Sequence, residues 1–409
     1  METYSVSRYR WVIILAAMPI IVASEVFWLT FSPVSSLAQV FYGVDSVRID
    51  LLAMSYMIMY IAFTIPASWV VDKFGFRTSL LAGALVTAVF GVLRAVFAGN
   101  FVGVVVCQFM LAAAQPFLIN ISTRAPANWF PVQERATAAG LLTMAQYIGF
   151  VIPMVLSPIL AANDGGIPRM LMFYAVFAVV CAAIAIIFTR ERPSEPAGPN
   201  EAEENLSLAS MARLFKNKNF ILVIIIVFIA MGIFNTLLTL VESILTPRGI
   251  TIEEAGLVGG VFVIAGVIGA VVLPMVSDKM RVRIRFFVAG MALLTPLYLG
   301  MTLISSFTLL VIVAGAAGFI VMGLAPILFQ HGAEVAYPAK EGTSFGLILL
   351  MGQVSGVLFV LLFEALGDAN MTVPMLIAVA LTALEIPLSA MMKESNTLLG
   401  IRDKAKSSS

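Results

Sequence analysis

Stretches of about twenty apolar residues recur along the whole chain, broken only by short charged or Gly/Pro-marked segments, and this spacing decides the fold class before any motif is read. A helix rises about 1.5 Å per residue, so each stretch can cross the roughly 30 Å of a bilayer's hydrocarbon layer. Twelve spans are expected, near 10–40, 51–71, 76–96, 101–125, 135–160, 169–189, 219–246, 254–276, 285–304, 308–332, 342–366 and 372–392. With 61% hydrophobic and 11% charged residues, the chain is too oily for an ordinary water-soluble domain. Short segments of alternating polarity, the mark of a membrane β-barrel, are not seen. The expectation is an all-α membrane protein whose first span, with no small-residue cleavage site behind it, is a retained helix and not a signal peptide.

The cations orient the spans. With both termini cytoplasmic, only Arg48, Arg94, Arg169 and Arg248 are left outside, so 20 of the 24 Lys and Arg obey the positive-inside rule. A plasma or bacterial-type inner membrane suits that topology. A net charge of +1 with no basic domain argues against nucleic acid as a partner. Cys107 and Cys181 fall inside separate spans as apolar core residues.

One long polar break, rich in Pro, Glu and Asn, separates two halves: residues 1–190 and 219–409, the latter with a short cytoplasmic tail, joined by a linker over 191–218. The halves repeat. PVQERATAAGLLTMAQYIG and PAKEGTSFGLILLMGQVSG share Pro131/Pro338, Glu134/Glu341, Met144/Met351, Gln146/Gln353 and Gly149/Gly356 at an offset of 207. DKFGFR and DKMRVR both read D-K-x-x-x-R at an offset of 206. Two pairs at nearly one offset are difficult to obtain by chance, and parallel repeats of six helices are the architecture of the major facilitator superfamily.

The residues carry that resemblance further. VVDKFGFRTSLLAG resembles the superfamily's signature between helices 2 and 3, in which the Asp and Arg latch neighbouring helices on the cytoplasmic side. WLTFSPVSSLAQVFYGV with IPASWVVDKFG, then AQPFLINISTRAPANWFPVQERATA, and YPAKEGTSFGLILLMGQVSG resemble the feline leukaemia virus subgroup C receptor-related transporters, solute carrier family 49. The resemblance covers essentially the whole transmembrane chain. It implies two pseudo-symmetric six-helix bundles, alternating access, and small amines of the choline or ethanolamine type as cargo.

The repeat itself locates candidate site residues. Gln146 and Gln353 each lie 12 residues past the motif glutamate, about 18 Å into a helix and so near the midplane, where transporter sites sit. They either face one another across a cavity or make helix-to-helix hydrogen bonds. In the resembled family, glutamines of helices 5 and 11 belong to the substrate site, and these two match those positions. Glu25 and Trp28 share a helix face near the middle of the first span. A carboxylate there should look into a watery cavity, since a charge at the bilayer centre costs about 2.5–3.5 kcal/mol. With the indole it would suit an organic cation. The other options are an interfacial anchor for Trp28 and a neutral, hydrogen-bonded Glu25. Trp28 matches a cavity tryptophan of the resembled family, and Glu25 rests on its physics alone. The family's helix-7 aromatic is not a tyrosine here: Phe234 and Asn235 stand in that helix.

Gln115, Asn120 and Asn235 either line the cavity or tie helices together. Arg124 and the lone His331 correspond at offset 207, and no ligand set for a metal accompanies them. Glu242 and Glu364 are expected to be solvated near outer helix ends, and Glu385 has no evident role. Asp72, Lys73, Arg77, Arg124, Glu134, Arg135, Asp278, Arg281, Arg283 and Glu341 read as cytoplasmic latch or gate residues, forming ion pairs when the inner mouth is shut.

No Lys follows a Gly, so there is no phosphate-binding loop for ATP, and no catalytic triad, dinucleotide fingerprint or cofactor site is found. The reading is a non-enzymatic carrier of a small organic solute: a secondary transporter working as a monomer in membrane lipid by rocker-switch alternating access. Its rivals are a proton-coupled carrier of a neutral or amphiphilic metabolite, a haem exporter, and a receptor or scaffold that has lost transport.

Overall fold

The structure, a computed structural model, describes residues 7–162, 166–193, 214, 216–280, 282–336, 341–367 and 371–394. Arg281 and most of the expected linker, 194–213 and 215, fall outside these, as does the side chain of Glu341. Among the described residues every regular element is a helix. Twelve helical segments are long and apolar enough to span a membrane, and the chain divides into two compact units, Met1–Asn205 and Leu206–Ser409.

In unit 1 the first span is α1 (Tyr9–Leu29), a 3₁₀ turn at Ser32–Val34 and α2 (Ser35–Tyr42). Pro33 lies in that turn, where its fixed φ is tolerated and its missing N–H costs nothing. Then come α3 (Ser46–Phe74), α4 (Phe76–Val96), α5 (Phe101–Ile119) running into α6 (Ile121–Trp129), α7 (Val132–Ala162) and α8 (Gly166–Phe188). Unit 2 comprises α9 (Lys218–Thr239), the short α10 (Val241–Leu245), α11 (Ile252–Met280), α12 (Ile284–Leu303), α13 (Phe307–Val335), α14 (Glu341–Leu366) and α15 (Thr372–Met391).

Polar residues in the connections set the helix starts. Asp45 accepts from the Arg48 N–H at 3.0 Å, Asn100 from Gly103 at 3.1 Å and Asn217 from Asn219 at 3.0 Å. At the head of α11, Thr251 and Glu254 cap one another's backbone reciprocally. Each satisfies N–H groups that a helix cannot satisfy itself.

Packing is the same within each unit. In unit 1, α1 packs on α7, α3 on α5 and α4 on α8; in unit 2, α9 packs on α14, α11 on α13 and α12 on α15. These are the first and fifth, second and fourth, and third and sixth spans of each half, as a duplicated bundle requires. The α11–α13 seam is the tightest: a Cβ on Gly269 would strike the Phe319 backbone, and one on Gly318 the Phe262 backbone. Small residues let membrane helices approach at backbone distance, where packing has to replace the hydrophobic effect.

Gly318→Leu should therefore force α11 and α13 apart at a cost of about 1–3 kcal/mol or more. The measurement is thermal unfolding and gel filtration in detergent. A variant with wild-type melting would show that the seam does not need the glycine.

Candidate functional site

Glu25 and Trp28 sit one turn apart on α1, a helix packed against α5, α7 and α8, and they are 0% and 6% exposed. Both Glu25 oxygens accept from Gln115 Nε2 on α5, each at 3.0 Å. From the third side comes α7, at Gly149, where a Cβ would meet the Val22 carbonyl oxygen at 2.8 Å and run into the Glu25 side chain. The motif glycine is thus what admits the carboxylate. This differs from the sequence expectation of a face open to water: Glu25 is closed in a helix seam, because an amide donor supplies what water would have supplied.

Trp28 turns to an aromatic cluster. Its indole stacks with Tyr56 of α3 (centroids 6.3 Å, planes 13° apart) and meets Phe150 of α7 edge-on at 5.3 Å, while Tyr147 tilts onto Phe150 at 6.0 Å. The indole N–H is buried with no hydrogen-bond partner among the described residues. Gln146 lies one turn before Phe150 on the same flank of α7, half-buried, with no hydrogen bond from its amide to a described residue. Unit 1 therefore brings Trp28, Glu25, Gln115 and Gln146 into one neighbourhood, and adds Tyr56 and Phe150, which no sequence motif marks.

In unit 2, Gln353 on α14 is likewise half-buried, with no hydrogen bond from its amide to a described residue. Phe234 tilts onto Phe262 at 6.1 Å. Asn235 donates to the Gly352 carbonyl at 3.3 Å, tying α9 to α14. Asn120, at the end of α5, donates to the Thr64 carbonyl and the Ser68 hydroxyl of α3, each at 3.0 Å. Of the two roles open to these asparagines in sequence, the geometry gives helix ties.

Two placements need correction. Arg94, counted outside from sequence, is 0% exposed within unit 1: its guanidinium donates to Gln108 Oε1 and to Thr30 Oγ1 and lies 4.5 Å from the Phe27 ring centre. A cation that finds an amide, a hydroxyl and a ring face does not have to reach the surface. Glu242, expected to be solvated, is 1% exposed, in the short α10 that folds back on α11. Arg248 does lie outside the spans, donating to the Ile244 and Ile304 carbonyls, and burial holds its pKa below the ordinary arginine value.

At the opposite end of each unit, the expected latch residues are joined by others. Glu191, three residues past α8, receives the Phe76 N–H at 3.2 Å and the Arg77 N–H at 2.7 Å, and Asn128 binds it at 3.3 Å. Gly75, at φ +88°, leaves the space that this carboxylate fills. Unit 2 repeats the device: Glu394, three residues past α15, receives the Arg283 and Ile284 N–H groups at 2.9 and 3.0 Å. Arg283 then pairs with Glu334 at 2.8 Å and lies 3.8 Å from Asp278. Glu134 pairs with Arg10 at 3.1 Å, and Arg135 donates to the Phe130 carbonyl at 3.2 Å. Asp72 forms no ion pair within 4 Å among the described residues, so Glu191, not Asp72, holds the α4 end. The signal available in sequence was a glutamate at the same distance beyond the last span of each half.

The duplicated bundles, with polar clusters inside and charge clusters at one end, define an integral membrane transporter. The chain belongs to the major facilitator superfamily, whose family model matches residues 3–360. Within it the chain is similar to the solute carrier family 49 branch. It is 30% identical to the choline/ethanolamine transporter FLVCR2 of Homo sapiens, over 88% of this chain and 72% of that one. With solute carrier family 49 member A3 of Danio rerio it shares 28% identity, over 93% and 86%. Its fold is shared with a crystal structure of a bacterial homologue of the human lysosomal transporter Spinster: TM-score 0.76, 14% identity, covering 96% of this chain and 100% of that one.

Gln115→Ala should strand the Glu25 carboxylate and lower stability by about 2 kcal/mol, the worth of a hydrogen bond to a charged group. Glu25→Gln keeps an amide acceptor opposite Gln115 and should cost less. Thermal unfolding of the two variants checks the order, and the reverse order would reject the seam.

Proposed function

We propose that the chain carries a small organic amine of the choline or ethanolamine type across the membrane by alternating access, with no ATP and no cofactor. The observation that carries this reading is the Trp28, Tyr56 and Phe150 cluster with the unengaged Gln146 amide beside it. Aromatic faces attract an ammonium by up to about 2 kcal/mol when water is excluded, and an amide oxygen can accept from a hydroxyl or an N–H. Relatives named choline/ethanolamine transporters at about 30% identity support the same cargo.

In this reading Gln146 of the first six-helix half, 1–190, and Gln353 of the second, 219–409, each bind cargo, with Phe234 replacing the expected helix-7 tyrosine. Both termini are cytoplasmic, as the cation bias supports. Glu25, held by Gln115 one turn from the indole, fixes α1 against α5 beside the site without touching cargo. The charge clusters around Glu191 and Glu394, with Asp72, Lys73, Arg77, Arg124, Glu134, Arg135, Asp278 and Arg283, are the gate.

Uptake into proteoliposomes tests the site, with labelled choline, labelled ethanolamine and a neutral polyol. Trp28→Ala should lower amine uptake about 30-fold, equivalent to the loss of one desolvated cation–π contact. Gln146→Ala and Gln353→Ala should each lower it further than a surface control. Amine uptake unaffected by all three substitutions, or equalled by the polyol, would sink the assignment.

A further inference from the structure

Where α3 hands over to α4, Asp72, Lys73, Arg124, Asn128, Glu191 and Arg192 line a polar cleft of about 190 Å³ within unit 1. Its charges do not cancel. Glu191 is committed to two backbone N–H groups and to Asn128. Among the described residues no ion pair within 4 Å joins Asp72 and Arg124. Lys73 leans over the rings of Trp69 and Phe74, at 4.7 and 5.3 Å from their centres. Arg192 is exposed. Three cations thus stand against two carboxylates, and none of the three has an ion-pair partner among the described residues.

The surroundings say what kind of anion fits. Trp69 and Phe74 are 52% and 51% exposed beside the cleft, at the end of a membrane-spanning helix. An indole at a helix end, as at Trp69, settles at the headgroup level of a bilayer. The cleft therefore opens where lipid phosphates lie. Guanidinium groups bind a phosphate through paired N–H donors. A phosphodiester carries one negative charge, matching the single positive charge left over in the lining. A zwitterionic headgroup brings its own cation and gains less.

We propose that this cleft binds the headgroup phosphodiester of an anionic phospholipid, with Arg124 and Arg192 on the phosphate and the acyl chains passing over Trp69 and Phe74. The site is independent of the cargo assignment. It lies among the residues proposed as the gate, so lipid occupancy would bear on how that end of unit 1 moves.

Native mass spectrometry of the full chain in detergent tests it, with dioleoylphosphatidylglycerol, dioleoylphosphatidylcholine and inorganic phosphate as the probes. The anionic lipid should bind about 25-fold more tightly than the zwitterionic one, since each of the two arginines on the phosphate contributes about fivefold. Arg124→Gln with Arg192→Gln should bring the ratio to near unity, and the corresponding pair of Lys substitutions should keep most of it. If the double Gln variant does not fold, Arg192→Gln alone, at an exposed position, should lower the ratio about fivefold. Equal binding of both lipids by the wild type, or an unchanged ratio in the folded Gln variant, would overturn the proposal. So would displacement of the lipid by inorganic phosphate at equal concentration, which would make a soluble anion the ligand.

Discussion

A bilayer core offers no water to a buried polar group, and that constraint explains how several polar side chains within these spans are paired. Gln108 shows how much one residue can then do. Its Oε1 accepts from Arg94 of α4, while its Nε2 donates at 3.0 Å to the carbonyls of Phe27 on α1 and Leu52 on α3. Four helices meet at one amide. The Glu25–Gln115 contact closes α1 on α5, Asn120 closes α5 on α3, and Asn235 closes α9 on α14. Individually such contacts are worth about 0.6–2 kcal/mol between membrane helices. Their larger effect is on register, because sliding a helix would leave a polar group with nothing to bind.

The same reasoning operates at the helix ends. A helix N-terminus presents unsatisfied N–H groups and the positive end of the macrodipole, so a carboxylate placed there is held twice over. Glu191 does this for α4 and Glu394 for α12. Each glutamate follows the sixth span of its unit, so the end of that span is tied to the start of the third. The third and sixth spans are also the ones packed together along their lengths, α4 with α8 and α12 with α15. End contact and side contact therefore reinforce one another, leaving those pairs as stiff supports for the first and fifth spans, which carry Trp28 and Gln146.

What could be read in the sequence follows from what a linear pattern encodes. Span positions were legible because burial in lipid imposes length and oiliness on contiguous residues: the expected 76–96 coincides with α4, and 372–392 differs from α15 by one residue. Internal duplication was legible because it repeats in register. Partners were not, since Glu25 and Gln115 lie ninety residues apart and no local signal joins them. Arg94 misled for a related reason: counting charges by loop assumes that a cation near a span end reaches water, and Gln108 removes that need. Glu242 failed the same way, as a carboxylate near a helix end that folds inward with α10. Tyr56 was invisible because nothing in the sequence distinguishes it from Tyr60, one turn on, among the apolar residues of α3.

The charges of unit 1 constrain what its aromatic cluster would accept as cargo. Tyr56 stacks on Trp28, and the charged groups of the unit's interior, Arg94 and Glu25, each have partners of their own. Arg94 is committed to Gln108 and Thr30, and Glu25 to Gln115, so neither is available to pair with a cationic cargo. Discrimination then falls to the ring faces and to neutral groups such as the Gln146 amide. Ring faces favour cations whose charge is spread over carbon and whose hydration is weak, because desolvating them costs little against the quadrupole attraction. A compact metal ion would give up more hydration than the rings return. A quaternary or substituted ammonium would not, and an adjacent hydroxyl on such a cargo would give the free amide something to bind.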